Sequence, residues 1–381
     1  MPNRALELTR YRHTVEGAVA PTSQPPSALP TRLGASMSAD SLSNARPPVR
    51  PALHASDGAR DWKRHLKEAF RDPEQLLKEL EIDASTVPIA RLAQFPLLAP
   101  RPFVDRMRRG DPNDPLLRQV LPLAAELEHH PGFLADPVDD AAATVAPGLL
   151  HKYNGRALLV AAKSCAVHCR YCFRRHYPYH TTPRSSDEWR PALEYLRANP
   201  SITEIILSGG DPLMLVDELL EELVGELNSI SHIRRLRIHT RLPVVIPDRV
   251  TRKLTSLLSS APLSSVIVLH INHPNELYAP LHDSLSLLRD SGAVLLNQAV
   301  LLRGINDDLD SMSRLSEQLI EYGVTPYYLH EMDRTAGTQH FVAEDGIGTR
   351  LTDLLRESLP GYLVPRYVRE EPGAAHKTPL A

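Results

Sequence analysis

The chain has 381 residues, and 43 Lys and Arg against 46 Asp and Glu leave a formal charge of −3. That near balance argues against a protein held to nucleic acid by phosphate contacts, which calls for a basic excess. Hydrophobic residues make up 42% of the chain, enough for a large core, yet no apolar run approaches the ~20 residues that span a bilayer. No secretory leader is visible at the N-terminus, and three cysteines cannot form a framework of paired disulfides, so the expected compartment is the reducing cytoplasm.

In chain order, residues 1–58 are rich in Pro, Ser and Ala and lack periodicity. They predict a disordered extension, or a misplaced start with translation beginning at Met37. Residues 59–147 predict a small, mostly helical lead-in, carried by DWKRHLKEAF and EQLLKELEI. From 157 the pattern changes. Strand-length apolar runs at 157–163, 203–208, 234–240, 264–270, 293–301 and 325–330 alternate with amphipathic segments near 187–199, 215–229, 248–259, 280–290, 308–322 and 346–358. Such alternation builds a parallel sheet from βα units. Six units fall short of the eight that close a barrel. The expected fold is therefore α/β, a partial (β/α)6 barrel over 148–360, followed by a C-terminal segment at 361–381 in which YLVPRYV reads as further extended chain.

The polar clusters fall at strand ends. A cysteine loop follows the first strand and SGGDP (208–212) the second. HTR (239–241) closes the third, HINHPNE (270–276) the fourth, NQ (297–298) lies late in the fifth, and LHEMD (329–333) ends the sixth. In parallel βα architectures those ends converge on one mouth, where active sites are built.

All three cysteines lie in CAVHCRYC, at Cys165, Cys169 and Cys172. A zinc site with a distant fourth ligand, buried spectator thiols, and an iron–sulfur cluster all remain open on spacing. His168 adjoins Cys169 and would crowd the same metal. Three thiolates on a 4Fe–4S cube leave one iron open, which is what a catalytic metal needs.

C-x3-C-x2-C after the first strand of a partial barrel, with Tyr171 before the third cysteine, resembles the radical S-adenosylmethionine (SAM) superfamily. The resemblance implies a 4Fe–4S cluster on Cys165, Cys169 and Cys172 whose open iron chelates SAM. It also implies that Ser208, Gly209, Gly210, Asp211, Arg241, His270, Asn272 and Gln298 surround SAM. PGAAHKTP resembles the segment of lysine 2,3-aminomutases whose lysine, here Lys377, forms a Schiff base with pyridoxal 5′-phosphate (PLP). The family's glycine run is reduced here to Gly373, Ala374, Ala375 and His376. GLLHKYNGRALL resembles the segment that supplies PLP contacts, implying that role for Lys152, Tyr153 and Arg156. CFRRHYP puts Arg174 where the family grips the substrate carboxylate. Glu370 stands where the family has Asp for the distal ammonium, and His330 stands at the second acid's position, with Asp333 close by.

LLHKY, CRYCFRRHYPY, LRIHTRLPVVIP, YYLHEMD and an ending just after Lys377 resemble the branch that serves elongation factor P. That likeness implies conversion of L-lysine to (R)-β-lysine, which a separate ligase attaches to elongation factor P, and a reducing electron-donor protein as partner. Catabolism of free lysine, a different amino-acid substrate, and a non-catalytic protein using the thiols structurally are the alternatives.

Overall fold

A computed structural model describes residues 61–90, 95–183 and 185–381. The expectations for residues 1–58, including a start at Met37, lie outside the described residues. Among the described residues, the segment ahead of the sheet holds four short α-helices, α1 (Asp61–Lys67), α2 (Pro73–Glu79), α3 (Arg101–Val104) and α4 (Pro115–Arg118). Irregular chain joins them, so the segment is less helical than its leucine spacing predicts. Ten prolines between residues 88 and 147 give the reason: each removes a backbone donor and pushes the preceding residue out of helical geometry.

From residue 144 the chain runs β1 (Thr144–Ala146), β2 (Leu149–Tyr153), β3 (Arg156–Ala162), α5 (Ser186–Ala198), β4 (Glu204–Gly209) and α6 (Asp217–Asn228). It continues through β5 (Arg235–Thr240), α7 (Leu242–Val245), α8 (Arg252–Ser260), β6 (Ser264–His270), α9 (Ala279–Asp290), β7 (Val294–Val300) and α10 (Leu309–Glu321). It ends with β8 (Thr325–His330), α11 (Ile347–Ser358), β9 (Arg366–Arg369) and β10 (Thr378–Pro379). The ten strands form one sheet in sequence order. β3 to β9 are parallel, while β1 and β2 at one end and β10 at the other add antiparallel.

That order excludes a doubly wound sheet, whose strand order reverses at a switch point. Right-handed crossovers repeated in one direction curl the sheet instead into an open barrel arc. The expected extended chain after α11 becomes β9, a seventh parallel strand. Parallel strands are covered on both faces, and Leu159, Leu207, Ile238, Leu269 and Leu329 are accordingly fully buried. The helices lay one apolar stripe on them, for example Trp189, Leu193 and Leu196 of α5 and Met312, Leu315 and Leu319 of α10. Truncating any of these leucines to alanine would cost about 2–5 kcal/mol. Ser185, Thr251 and Asp308 cap α5, α8 and α10 through side-chain oxygens that accept first-turn N–H groups. No described helix is long and apolar enough to cross a membrane.

Candidate active site

Register places the first pieces. His270 of β6 pairs with Gln298 of β7, and residues side by side on parallel strands point to the same face. Gln298 Nε2 lies 3.1 Å from His270 Nε2. His239, near the end of β5, meets the His270 ring edge-on at 6.0 Å. His330 ends β8. Burial lowers all three imidazoles, helped by Arg241 at His270, by His270 at His239, and by Lys377 at His330; His270 falls to about 4. At neutral pH they are uncharged rings at the mouth of the barrel. The buried Nε2 atoms of His239 and His330 have no protein partner, leaving polar atoms for a ligand to satisfy.

The cysteine loop connects β3 to α5. Burial, with the neighbouring sulfurs, pushes the Cys165 thiol well up and Cys172 to about 11. Cys172 and Cys169 both act on Cys165, and Cys169 on Cys172, so the three sulfurs lie near one another. Yet among the described residues no three His, Cys, Asp or Glu side chains close around a single metal ion. Zinc needs all its sulfurs about 2.3 Å from one centre, whereas a cube of irons takes thiolates spread over its corners. Three thiolates on one loop, with no further cysteine in the sequence, suit three corners of a cube. His168 turns away from it: its Nδ1 lies 2.8 Å from the Pro96 carbonyl oxygen, and its ring stacks on Phe95 at 4.7 Å.

The lead-in clamps this loop. Arg170, fully buried, grips both oxygens of Glu126, and Arg175 adds a contact of 2.7 Å to the same carboxylate. Behind the loop lies a second buried network. Arg241 donates to Cys169 Sγ at 2.8 Å, the Tyr171 hydroxyl at 2.7 Å, Gln119 Oε1 at 2.6 Å and Glu276 Oε2 at 2.8 Å. Asn272 donates to Tyr171 at 2.6 Å and Gln119 at 3.0 Å, and accepts from the Val300 N–H.

This alters the reading of the residues expected around SAM. Arg241 and Asn272 are engaged within the protein, behind the cysteine loop. Asp211 is too: its two oxygens accept from Thr240 Oγ1 at 2.7 Å, Leu213 N at 3.0 Å, Arg241 N at 2.8 Å and Leu242 N at 2.8 Å. Burial raises this carboxyl against four donors that lower it. Asp211 ties the end of β4 to the end of β5. The glycines answer to packing as well. A Cβ on Gly209, whose φ is +110°, would lie 2.8 Å from the Ala162 carbonyl oxygen; one on Gly210 would lie 2.4 Å from that of Ser164. Gly209 lets the end of β4 press against β3, Gly210 lets the chain after it press against the start of the cysteine loop, and Tyr179 clamps Gly209 by donating to its carbonyl at 2.9 Å. Ser208, His270 and Gln298 are the expected SAM residues that stand apart from these internal ties.

The chain terminus folds back across the mouth. Pairing of Thr378 with Arg369 makes β9 and β10 a hairpin, bringing Lys377 onto Glu370 as an ion pair. Tyr153 donates to the other Glu370 oxygen at 2.8 Å, and Lys152 Nζ lies 3.8 Å from that oxygen. The Arg156 guanidinium sits 4.5 Å over the Tyr153 ring. Burial opposes ionisation of Glu370, but Lys377, Tyr153 and Lys152 hold its carboxyl below the usual range. Asp333 is half-buried near the same lysines, and desolvation pushes it up to about 7. Lys152 also ion-pairs with Asp140 at 2.8 Å, and Arg174 donates from Nε to Asp140 at 2.8 Å and from Nη1 to Ser208 at 3.1 Å. Lys377, Glu370, Tyr153, Arg156, Lys152 and Arg174 thus form one connected charged chain.

Sequence reasoning missed Asp140, Gln119 and Glu126. Asp140 lies in DPVDDAAAT, which reads as a turn, and the other two lie in a segment without periodicity. Glu276 was legible only as part of HINHPNE.

A one-way parallel arc with three thiols after its first parallel strand and polar strand ends around them defines a radical SAM architecture, and the radical SAM superfamily model matches residues 159–314. The chain is 46% identical over 323 residues to the L-lysine 2,3-aminomutase of Escherichia coli, covering 84% of this chain and 94% of that protein. It is 43% identical to the Haemophilus influenzae enzyme of the same name over 84% of this chain and 95% of that one. The L-lysine 2,3-aminomutase of Clostridium subterminale matches at 34% identity over 84% of this chain and 77% of its own length. The chain belongs to the L-lysine 2,3-aminomutase family, which implies SAM, a 4Fe–4S cluster and PLP.

Proposed function

We propose that this chain converts L-lysine to (R)-β-lysine for attachment to elongation factor P. The activity is that of an L-lysine 2,3-aminomutase, an isomerase that moves an amino group within its substrate. The observation that carries the site assignment is a chain of contacts from the thiol loop to a C-terminal lysine: Arg174, two residues after Cys172, donates to Asp140, Asp140 pairs with Lys152, and Lys152 and Lys377 both reach Glu370.

Cys165, Cys169 and Cys172 would hold the cluster, with Arg241 supporting Cys169 from behind. Ser208, Gly209, Gly210, His270 and Gln298 would border SAM, and Asp211, Arg241 and Asn272 would hold that wall in shape. Lys377 would bind PLP, with Lys152 and Arg156 on its phosphate and Tyr153 beside it. Bound there, the cluster and SAM supply a hydrogen-abstracting carbon radical, and PLP supplies a covalent hold on the substrate amine and a delocalised electron sink. Arg174 would grip the substrate carboxylate through its free Nη edge. Glu370, paired with Lys377, and Asp333, close to both, suit the distal ammonium of lysine, whereas His330 is neutral and brings no charge. The β9–β10 hairpin carries Lys377 to the mouth.

Identities of 46% and 43% to the E. coli and H. influenzae proteins, against 34% to the clostridial one, support the elongation factor P branch. A separate ligase and an electron-donor protein are the partners of this reading, and the reducing cytoplasm its location. We divide the chain accordingly into a loop-clamping lead-in at 59–147, a barrel at 148–360 and a cofactor-bearing tail at 361–381.

The test is anaerobic reconstitution with iron, sulfide, SAM and PLP, followed by labelled L-lysine and a reductant. β-Lysine should form, and arginine or glutamate should compete poorly. A loaded enzyme that splits SAM yet makes no β-lysine would defeat the proposal, and a product refused by the ligase of elongation factor P would defeat its last step.

A further inference from the structure

Arg174 is 7% exposed, and a buried guanidinium needs a carboxylate beside it. That carboxylate is Asp140, itself 3% exposed. It belongs to a turn built to present it. The Asp136 carboxylate accepts the N–H groups of Asp140 and Ala141, each at 3.0 Å, and Thr144 donates to the Asp140 carbonyl at 2.9 Å. Lys152 holds the turn by donating to the Val138 carbonyl at 2.6 Å. Its Nζ also lies 2.8 Å from Asp140 Oδ1, as an ion pair without hydrogen-bond alignment.

Asp140 Oδ2 meets Arg174 at Nε, and Ser208 takes one Nη1 donor. Two of five guanidinium N–H groups are spent, both away from Nη2. The group is anchored on one side and its terminal edge is left for a planar anion. We propose that Asp140 is a positioning residue for substrate recognition: it fixes the plane of Arg174 so that the Nη edge receives the substrate carboxylate, and through Lys152 it links that grip to the cofactor end of the site. This rests on the reading of Arg174 as the carboxylate anchor. A flexible arginine forms a bidentate pair well only when its fork is already oriented.

The test separates the carboxylate from the rest of the substrate. The PLP-loaded protein is titrated with L-lysine and with cadaverine, which is lysine without its carboxylate, and binding is followed by the absorbance of the cofactor without reductant. Wild type should prefer lysine. In Asp140→Asn that preference should fall about tenfold or more, a change of 1.4 kcal/mol per decade, while cadaverine affinity stays within about twofold of wild type. In Asp140→Glu, which keeps the charge and shifts it by one methylene, the preference should fall by less; this variant stands in if Asp140→Asn does not fold.

An unchanged preference in either variant that folds overturns the inference. So does equal loss of both ligands, which marks a structural role, and so does a gain in preference, which marks Asp140 as a competitor for Arg174. Arg174→Lys is run in parallel. If it loses the preference and the Asp140 variants keep it, only the role of Asp140 fails. If Arg174→Lys keeps the preference, the anchor reading fails and the inference with it.

Discussion

Replacing Asp211 by asparagine separates two roles that the SGGDP segment could have. As a tie between strand ends, Asp211 accepts four hydrogen bonds from two oxygens. An amide of the same shape keeps one acceptor and turns the other into a donor. Facing Arg241 N and Leu242 N, that NH2 would leave two backbone donors without a partner. Flipped, it faces Thr240, whose hydroxyl can rotate to accept, and Leu213 N, which cannot. The cheaper arrangement orphans one buried N–H, at about 1–3 kcal/mol, and loses the charge-assisted strength of the remaining bonds. The expected destabilisation is roughly 2–4 kcal/mol, or about 2.5–5 °C in Tm for a chain of this length. Denaturant and thermal unfolding of the cofactor-free protein measure it. A loss under about 0.5 kcal/mol, together with abolished SAM binding, would refute the structural assignment and return Asp211 to the ligand.

Gly210→Ala should weaken the cysteine loop, because its Cβ would lie 2.4 Å from the Ser164 carbonyl oxygen and backbone must move; the 4Fe–4S absorption per chain after reconstitution should fall well below that of wild type. Asp333 gives a pH signature. Folding raises its carboxyl from an ordinary 3.8 to about 7, so the folded state takes up a proton there and stability is lost as pH rises between those values. Asp333→Asn removes that dependence, and its stability relative to wild type should improve by ~2–3 kcal/mol from pH 5 to pH 8 in cofactor-free melts; a flat difference would contradict the burial argument. Borohydride reduction of PLP-treated protein should fix one label at Lys377, and Lys377→Ala should carry none by mass spectrometry. Arg170→Met leaves Glu126 with Arg175 alone in a buried site and should cost about 3–5 kcal/mol, read as a lower unfolding midpoint.

The sequence by itself determined the strands and helices of the barrel, because apolar period and element length are local properties. β6 and β8 fall on residues 264–270 and 325–330, as their apolar runs predict. The thiol trio and the strand-end histidines were legible as candidates from their spacing and position, and Lys377 through the resemblance of PGAAHKTP to an aminomutase segment. The arc's seventh parallel strand and the hairpin that swings Lys377 onto Glu370 were decided by tertiary pairing, since β9 is only four residues long and carries no period of its own.

The same holds for which polar residues face the mouth and which hold it up. Asp211, Arg241 and Asn272 sit in segments that read as ligand contacts. Whether a buried carboxylate, guanidinium or amide meets a ligand or another side chain depends on where its partners arrive, and here Gln119, Thr240 and Glu276 arrive first. Asp140 is the reverse case, a turn residue by local sequence that becomes the partner of Arg174 and Lys152 once the chain closes on itself. Local sequence fixes what a residue can bond; only the folded chain fixes what stands within reach of it.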